Sequence, residues 1–154
     1  MYSIRVRADV EVLEAVFTAS VTTEEALRAV SQAFVLAEAG NISRAICDLR
    51  EVEDGLPHGS LSVIAASFTS RLSAGQRIAM LCTPEQLPVA RRFARFARIG
   101  EELGVFTRAA DADAWIESAP STRLSETMLR HMRAILEDAD ADRDEQPRQR
   151  RHTA

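Results

Sequence analysis

The stretch "RAICDLREVEDGLPHGSL", Arg44 to Leu61, decides the reading of this chain. It opens as an apolar strand, passes through Asp48-Leu49-Arg50, and breaks into a loop holding Gly55, Pro57, His58 and Gly59. A Ser-led apolar run follows. "RAICDL" is too short and too apolar to alternate, which suits a strand buried on both faces, as in a parallel sheet. "SLSVIAASFTSRLSAG" then places Leu61, Ile64, Ala65, Phe68 and Leu72 at helical spacing, with Gly75 as its end. Strand, loop and helix in this order make a βα unit. In open α/β sheets the carboxyl end of such a strand is where ligands bind.

Outward from this unit the pattern repeats. Before it, "SIRVRADVEVLEAVFTAS" reads as a hairpin, with Ile4 and Val6 alternating with Arg5 and Arg7, a turn at Ala8-Asp9, and Leu13, Ala15, Phe17 and Ala19 on one face of the second strand. "TTEEALRAVSQAFVLAEAG" is a helix. Thr22 and Glu25 have capping-box spacing, Ala26, Val30, Ala33 and Ala37 line one face with Leu27 and Phe34 beside them, and Gly40 stands where a left-handed end residue belongs. After it come the strand "RIAMLC", a helix opened by Thr83-Pro84-Glu85-Gln86 with Leu87, Ala90, Phe93, Ala94 and Ala97 as its stripe, a short strand at "VFT", and a short helix at "AADADAWIES". The fold class is therefore α/β: a mainly parallel sheet with an N-terminal antiparallel hairpin and helices packed on it.

Composition changes near Ala119-Pro120. The domain spans residues 1–118, an amphipathic C-terminal helix 119–139, and a charged tail expected to be disordered 140–154. In the helix Leu124, Met128, Met132, Ile135 and Leu136 form one stripe that must pack either on the chain itself or on a second copy. A homodimer through this helix is the expectation.

At 154 residues the chain is long enough to bury a core without disulfides or metal. The formal charge of -4 gives no global case for nucleic acid. All 19 basic residues are arginine, so lysine-dependent Schiff-base and P-loop chemistry is excluded. Cys47 and Cys82 lie in apolar runs and read as reduced core thiols, and with three scattered histidines they give no metal-ligand spacing. No cofactor is implied. The amino terminus lacks a signal-peptide pattern and no apolar run reaches membrane-spanning length, so a soluble cytoplasmic protein is expected.

The element order, with "DLREV" closing the central strand, resembles the STAS domain of sulfate-transporter tails and bacterial anti-sigma-factor antagonists. It is closer still to small bacterial STAS-like proteins, also described as STAS/CRAL-TRIO-like. The resemblance rests on Asp48-Leu49-Arg50, Ala90-Arg91-Arg92-Phe93, and Val105-Phe106 followed by Ala114-Trp115-Ile116, in that order over about residues 2–118. It implies a non-enzymatic regulatory or protein-interaction module with an unidentified protein partner. The family's regulatory members are phosphorylated on a Ser at the start of the second helix. Counting from Asp48, this chain has Pro57 at that place, and the first Ser after it is Ser60, preceded by His58-Gly59 rather than by an acid.

Six residues make up the candidate ligand or partner surface. Asp48 and Arg50 would form a polar rim, or serve the turn. His58 is a lone loop histidine with no Ser, Cys and acid in defined geometry around it. Ser60 and Ser62 would cap the second helix, or bind an anion there, with Ser60 the candidate for phosphorylation. Arg91 shares a face with Arg95 and Arg98, which would dock phosphate, an acidic partner or a membrane surface, or form a solvated face paired with Glu85, Glu101 or Glu102. A second function class is a carrier or sensor for a small anionic or lipid-like ligand held between helices. A pocket lined by Phe68, Phe93 and Phe96, with Arg91 at its mouth, would favour it.

Overall fold

The computed structural model describes residues 1–53, 58–72, 75–97, 102–118 and 128–137, with His58 described in its backbone only. The elements are β1 (Tyr2–Arg7), β2 (Val12–Thr18), α1 (Thr23–Gly40), β3 (Arg44–Glu51), α2 (His58–Thr69), β4 (Arg77–Leu81), α3 (Leu87–Ala97), β5 (Leu103–Phe106) and α4 (Ala109–Glu117). A further helix, α5, covers 128–137. The five strands lie in one sheet in the order β1-β2-β3-β4-β5. β1 pairs antiparallel with β2, Tyr2 opposite Phe17, and the other three pairings are parallel. The chain is thus α/β, as the alternation of strands and helices predicts.

Each parallel crossover steps to the next strand in the same direction. Crossovers of one hand then put their helices on one side of the sheet. Ala26 of α1, Leu61 and Phe68 of α2, and Ala90 and Phe93 of α3 share a core with Ile78 and Met80. Among the described helices α4 is the one on the opposite face, where Ala112 and Ile116 meet Val12, Ile46 and Ala79.

α1 starts as the sequence indicates. The Glu25 backbone N–H donates to Thr22 Oγ1 at 3.1 Å, and the Thr22 N–H donates to the Glu25 carboxylate at 2.9 Å. It ends differently. Asn41, not Gly40, takes the left-handed conformation (φ 50°). Gly40 is still helical, and a Cβ there would run into the thioether of Met132. The glycine is kept for close approach, not for its backbone freedom. Ala19 also departs from expectation: it leaves β2 at φ 55° instead of continuing its face.

α2 ends at Thr69, before Gly75, whose φ of 87° serves the turn into β4. α3 begins at Leu87, later than Thr83-Pro84 suggests, because Pro88 has no N–H to donate to the Pro84 carbonyl. The capping box is nevertheless present. Thr83 N–H donates to Gln86 Oε1 at 2.9 Å and Gln86 N–H to Thr83 Oγ1 at 3.3 Å.

α5 packs within the chain. Met132 is buried against Leu13, Leu36, Ala37 and Ile42, with Ile135 and Leu136 beside it. The residues 119–127, Leu124 among them, and the tail 140–154 lie outside the described residues.

Candidate functional site

β3 carries side chains to both faces in strict alternation, and this divides the six candidate residues. Arg44, Ile46 and Asp48 point toward the α4 side; Ala45, Cys47 and Leu49 point toward α1–α3. Asp48 and Arg50 therefore lie across the sheet from Ser60, Ser62 and Arg91. The six residues expected on one ligand or partner surface belong to two separate places, with Asp48 and Arg50 together in one of them.

The first place is a charged patch beside α4. Arg50 Nε and a terminal nitrogen contact the two Asp48 carboxylate oxygens at 3.0 and 2.7 Å, and the Arg50 backbone N–H donates to Oδ1 at 3.1 Å. Burial by itself would raise the Asp48 carboxyl, but the hydrogen bonds and charge of Arg50, with Arg5 further off, hold it below the usual carboxylate range. Alongside, Arg5 Nε contacts the buried Glu14 at 2.6 Å, and Arg44 reaches Glu11 at 3.3 Å. Asp48 is thus a paired carboxylate that both serves the turn and fixes Arg50. Among the described residues no cluster of His, Cys, Asp and Glu is arranged to hold a metal ion.

The second place is the layer between sheet and helices. Neither Ser60 nor Ser62 caps α2, because the helix already begins at His58. Thr23 Oγ1 donates to Ser60 Oγ at 2.6 Å, tying the first turn of α2 to the first turn of α1. Ser62 donates back to the Gly59 carbonyl at 2.9 Å. The His58 side chain lies outside the described residues. Ser60→Ala should cost about 1 kcal/mol, the worth of one hydroxyl pair. Ser60→Asp should cost less than this, since the first turn of α2 has no acid and the helix dipole favours one there. Urea unfolding of both variants checks the order.

Beneath α2 the packing is incomplete. An apolar cavity of about 170 Å³ is bounded by Leu49, Leu61, Phe68, Met80 and Phe93, among others. A second, of about 80 Å³, lies behind α1. Phe17, Val30, Cys47, Phe68 and Ile78 line both. Phe68 is edge-on to Phe34 at 5.6 Å and to Phe93 at 5.9 Å. Val52, Gln86 and Val89 line the larger space while remaining partly exposed, which puts its opening at the carboxyl ends of β3 and β4. Gln86 braces that opening, its Nε2 donating at 2.9 Å to the carbonyls of both Leu49 and Val52. Phe96 and Arg91 are not part of the lining.

Cys47 is partly buried and borders both cavities. Burial, and then the Asp48 charge, push its thiol up to about 12. At neutral pH it is a neutral, apolar wall and not a nucleophile. Cys82 is fully buried, its Sγ 3.6 Å from the Phe106 carbonyl. Thr23, Cys47 and Gln86 were not singled out as site residues from sequence. For Gln86 a signal existed, since the capping box fixes its backbone next to the end of β3. For Thr23 and Cys47 none did.

No protein-family model matches this sequence, and no curated protein matches it.

Proposed function

We propose that this protein is a non-enzymatic binding module that holds a small, uncharged, apolar molecule beneath α2. The cavity of about 170 Å³ at the strand carboxyl ends carries the reading. Its walls are apolar and it opens at the carboxyl ends of β3 and β4, so an apolar occupant entering there would leave water for an apolar surrounding. Apolar cavities of about 150 Å³ stay dry and accept benzene, which sets the scale of the ligand. Among the described residues the lining offers no charged side chain, and Arg91 lies elsewhere, so none of them pairs with an anionic head group inside.

A regulatory or protein-interaction module of STAS type is the second reading. It is favoured by α2, whose outer stripe of Gly59, Ser62, Val63 and Ala66 is exposed next to Ser60. The two readings are compatible if occupancy of the cavity alters that stripe.

Thermal melting with benzene, indole and short alkanols tests the ligand reading. The melting temperature should rise with at least one neutral probe. Cys47→Phe places a ring where both cavities meet. It should raise the melting temperature on its own and remove the response to the probe. No response to any probe, together with Cys47→Phe destabilising by about 1–3 kcal/mol as in an already full core, would overturn it.

A further inference from the structure

The chain has an excess of acid, yet from Gly55 to Gly100 the sequence contains six arginines and a single carboxylate, Glu85. Much of this positive charge is on α3. The helix buries Ala90, Phe93 and Ala97 and turns Arg91 and Arg95 outward, one turn apart, with Arg92 beside them. Among the described residues neither Arg91 nor Arg95 has an ion-pair partner, Glu85 and Glu102 included. Next to the arginines are exposed apolar side chains. Val89 is 36% and Phe96 46% exposed, two turns apart on one flank of α3, and Val63 on the adjacent α2 is 52% exposed. α2 itself carries no Asp, Glu or Arg.

We propose that the outer face of α3, with the neighbouring stripe of α2, docks on an anionic lipid surface. Guanidinium groups on long apolar stems suit the phosphate level of a bilayer, and Phe96, Val89 and Val63 suit the boundary just beneath it. Asp111 lies on α4, across the sheet from this face, and Glu24, near the start of α2, is paired with Arg28 at 2.7 Å. A nucleic acid would also meet the arginines, but it gives the two valines no reason to be exposed beside them. An acidic protein would cover both, and vesicle binding separates it from the lipid surface, whose phosphate level and apolar boundary match the arginines and the valines together. Val89 both lines the large cavity and faces outward. Docking therefore sets the cavity opening against the membrane, where apolar molecules partition. That last step rests on the ligand reading; the docking does not.

The experiment is flotation of the full chain with vesicles of phosphatidylcholine alone and of phosphatidylcholine mixed with phosphatidylglycerol. Binding should occur to the mixed vesicles only and fall as salt rises. Arg91→Gln with Arg95→Gln should weaken it roughly thirty-fold, at about five-fold per lost charge. Phe96→Ser should weaken it without changing the salt dependence. Circular dichroism confirms that these surface variants are folded. Cys47→Phe should bind vesicles as the unaltered chain does, so loss of the ligand reading leaves this result standing. No binding to mixed vesicles, equal binding to both, indifference to the double substitution, or complete displacement by short duplex DNA would each overturn the proposal.

Discussion

Phe68→Ala is expected to be the most damaging single substitution in the domain, costing about 3–5 kcal/mol. Phe68 is 9% exposed and stands edge-on between Phe34 of α1 and Phe93 of α3. Its ring also lines both cavities. Removing it forfeits two aromatic pairs and adds the volume of the ring to a space that its walls, braced by the sheet, cannot close. With a total stability of roughly 5–15 kcal/mol, the variant should be partly unfolded near body temperature. Urea unfolding gives the loss directly. Benzene should then restore more melting temperature to Phe68→Ala than it adds to the unaltered chain, because it refills the vacated space. A loss under about 1 kcal/mol would mean that the helices collapse onto the sheet, and that the space beneath α2 is not held open by the fold.

The architecture was readable because it depends on local pattern. Alternation in Ile4 and Val6 marks an edge strand, and the Thr22–Glu25 box marks the start of α1, and neither depends on the remainder of the chain. The site was less readable for a specific reason. An apolar strand such as "RAICDL" shows that both faces are covered without showing which residue parity meets which layer. Asp48 and Ser60 are close in sequence, and a change of parity at β3 puts the sheet between them. The cavity was legible only in part: Phe68 and Phe93 of the expected pocket line it and Phe96 and Arg91 do not, and its size was not readable. Ala26, Ala65 and Ala90 read as good helix formers, and a space is made by the volume such residues leave unfilled against the facing strands. Gly40 was misread because a glycine near a helix end usually supplies a left-handed residue. Here its missing Cβ makes room for a side chain from a helix some ninety residues later in the chain.

That contact sets the second large effect. Met132→Asp should release α5 while leaving the five-stranded sheet folded. Met132 is 1% exposed among Leu13, Leu36, Ala37 and Ile42, so an aspartate there would be a buried charge with no partner. A helix over 128–137 is too short to persist by itself in water. The cheaper outcome is for α5 to leave, and the stability lost then equals its docking free energy, about 2–4 kcal/mol if it resembles other losses of a buried methionine. Hydrogen exchange should show amides 128–137 falling to unprotected rates while those of β3 and β4 stay slow. The vacated surface exposes Leu36 and Ile42, so light scattering should show the variant associating more than the unaltered chain. Gly40→Ala probes the same contact from the other side. Its added methyl meets the Met132 thioether and also Ile42 Cγ1 at 3.1 Å, while the helix gains about 1 kcal/mol of propensity. Because the thioether is the flexible end of its side chain, Gly40→Ala should loosen α5 without releasing it, giving intermediate exchange at 128–137. If those amides stayed protected in Met132→Asp, α5 would be held by something other than this pocket. A dimer in the unaltered chain that became monomeric on truncation at Ala119 would identify that something as a second copy.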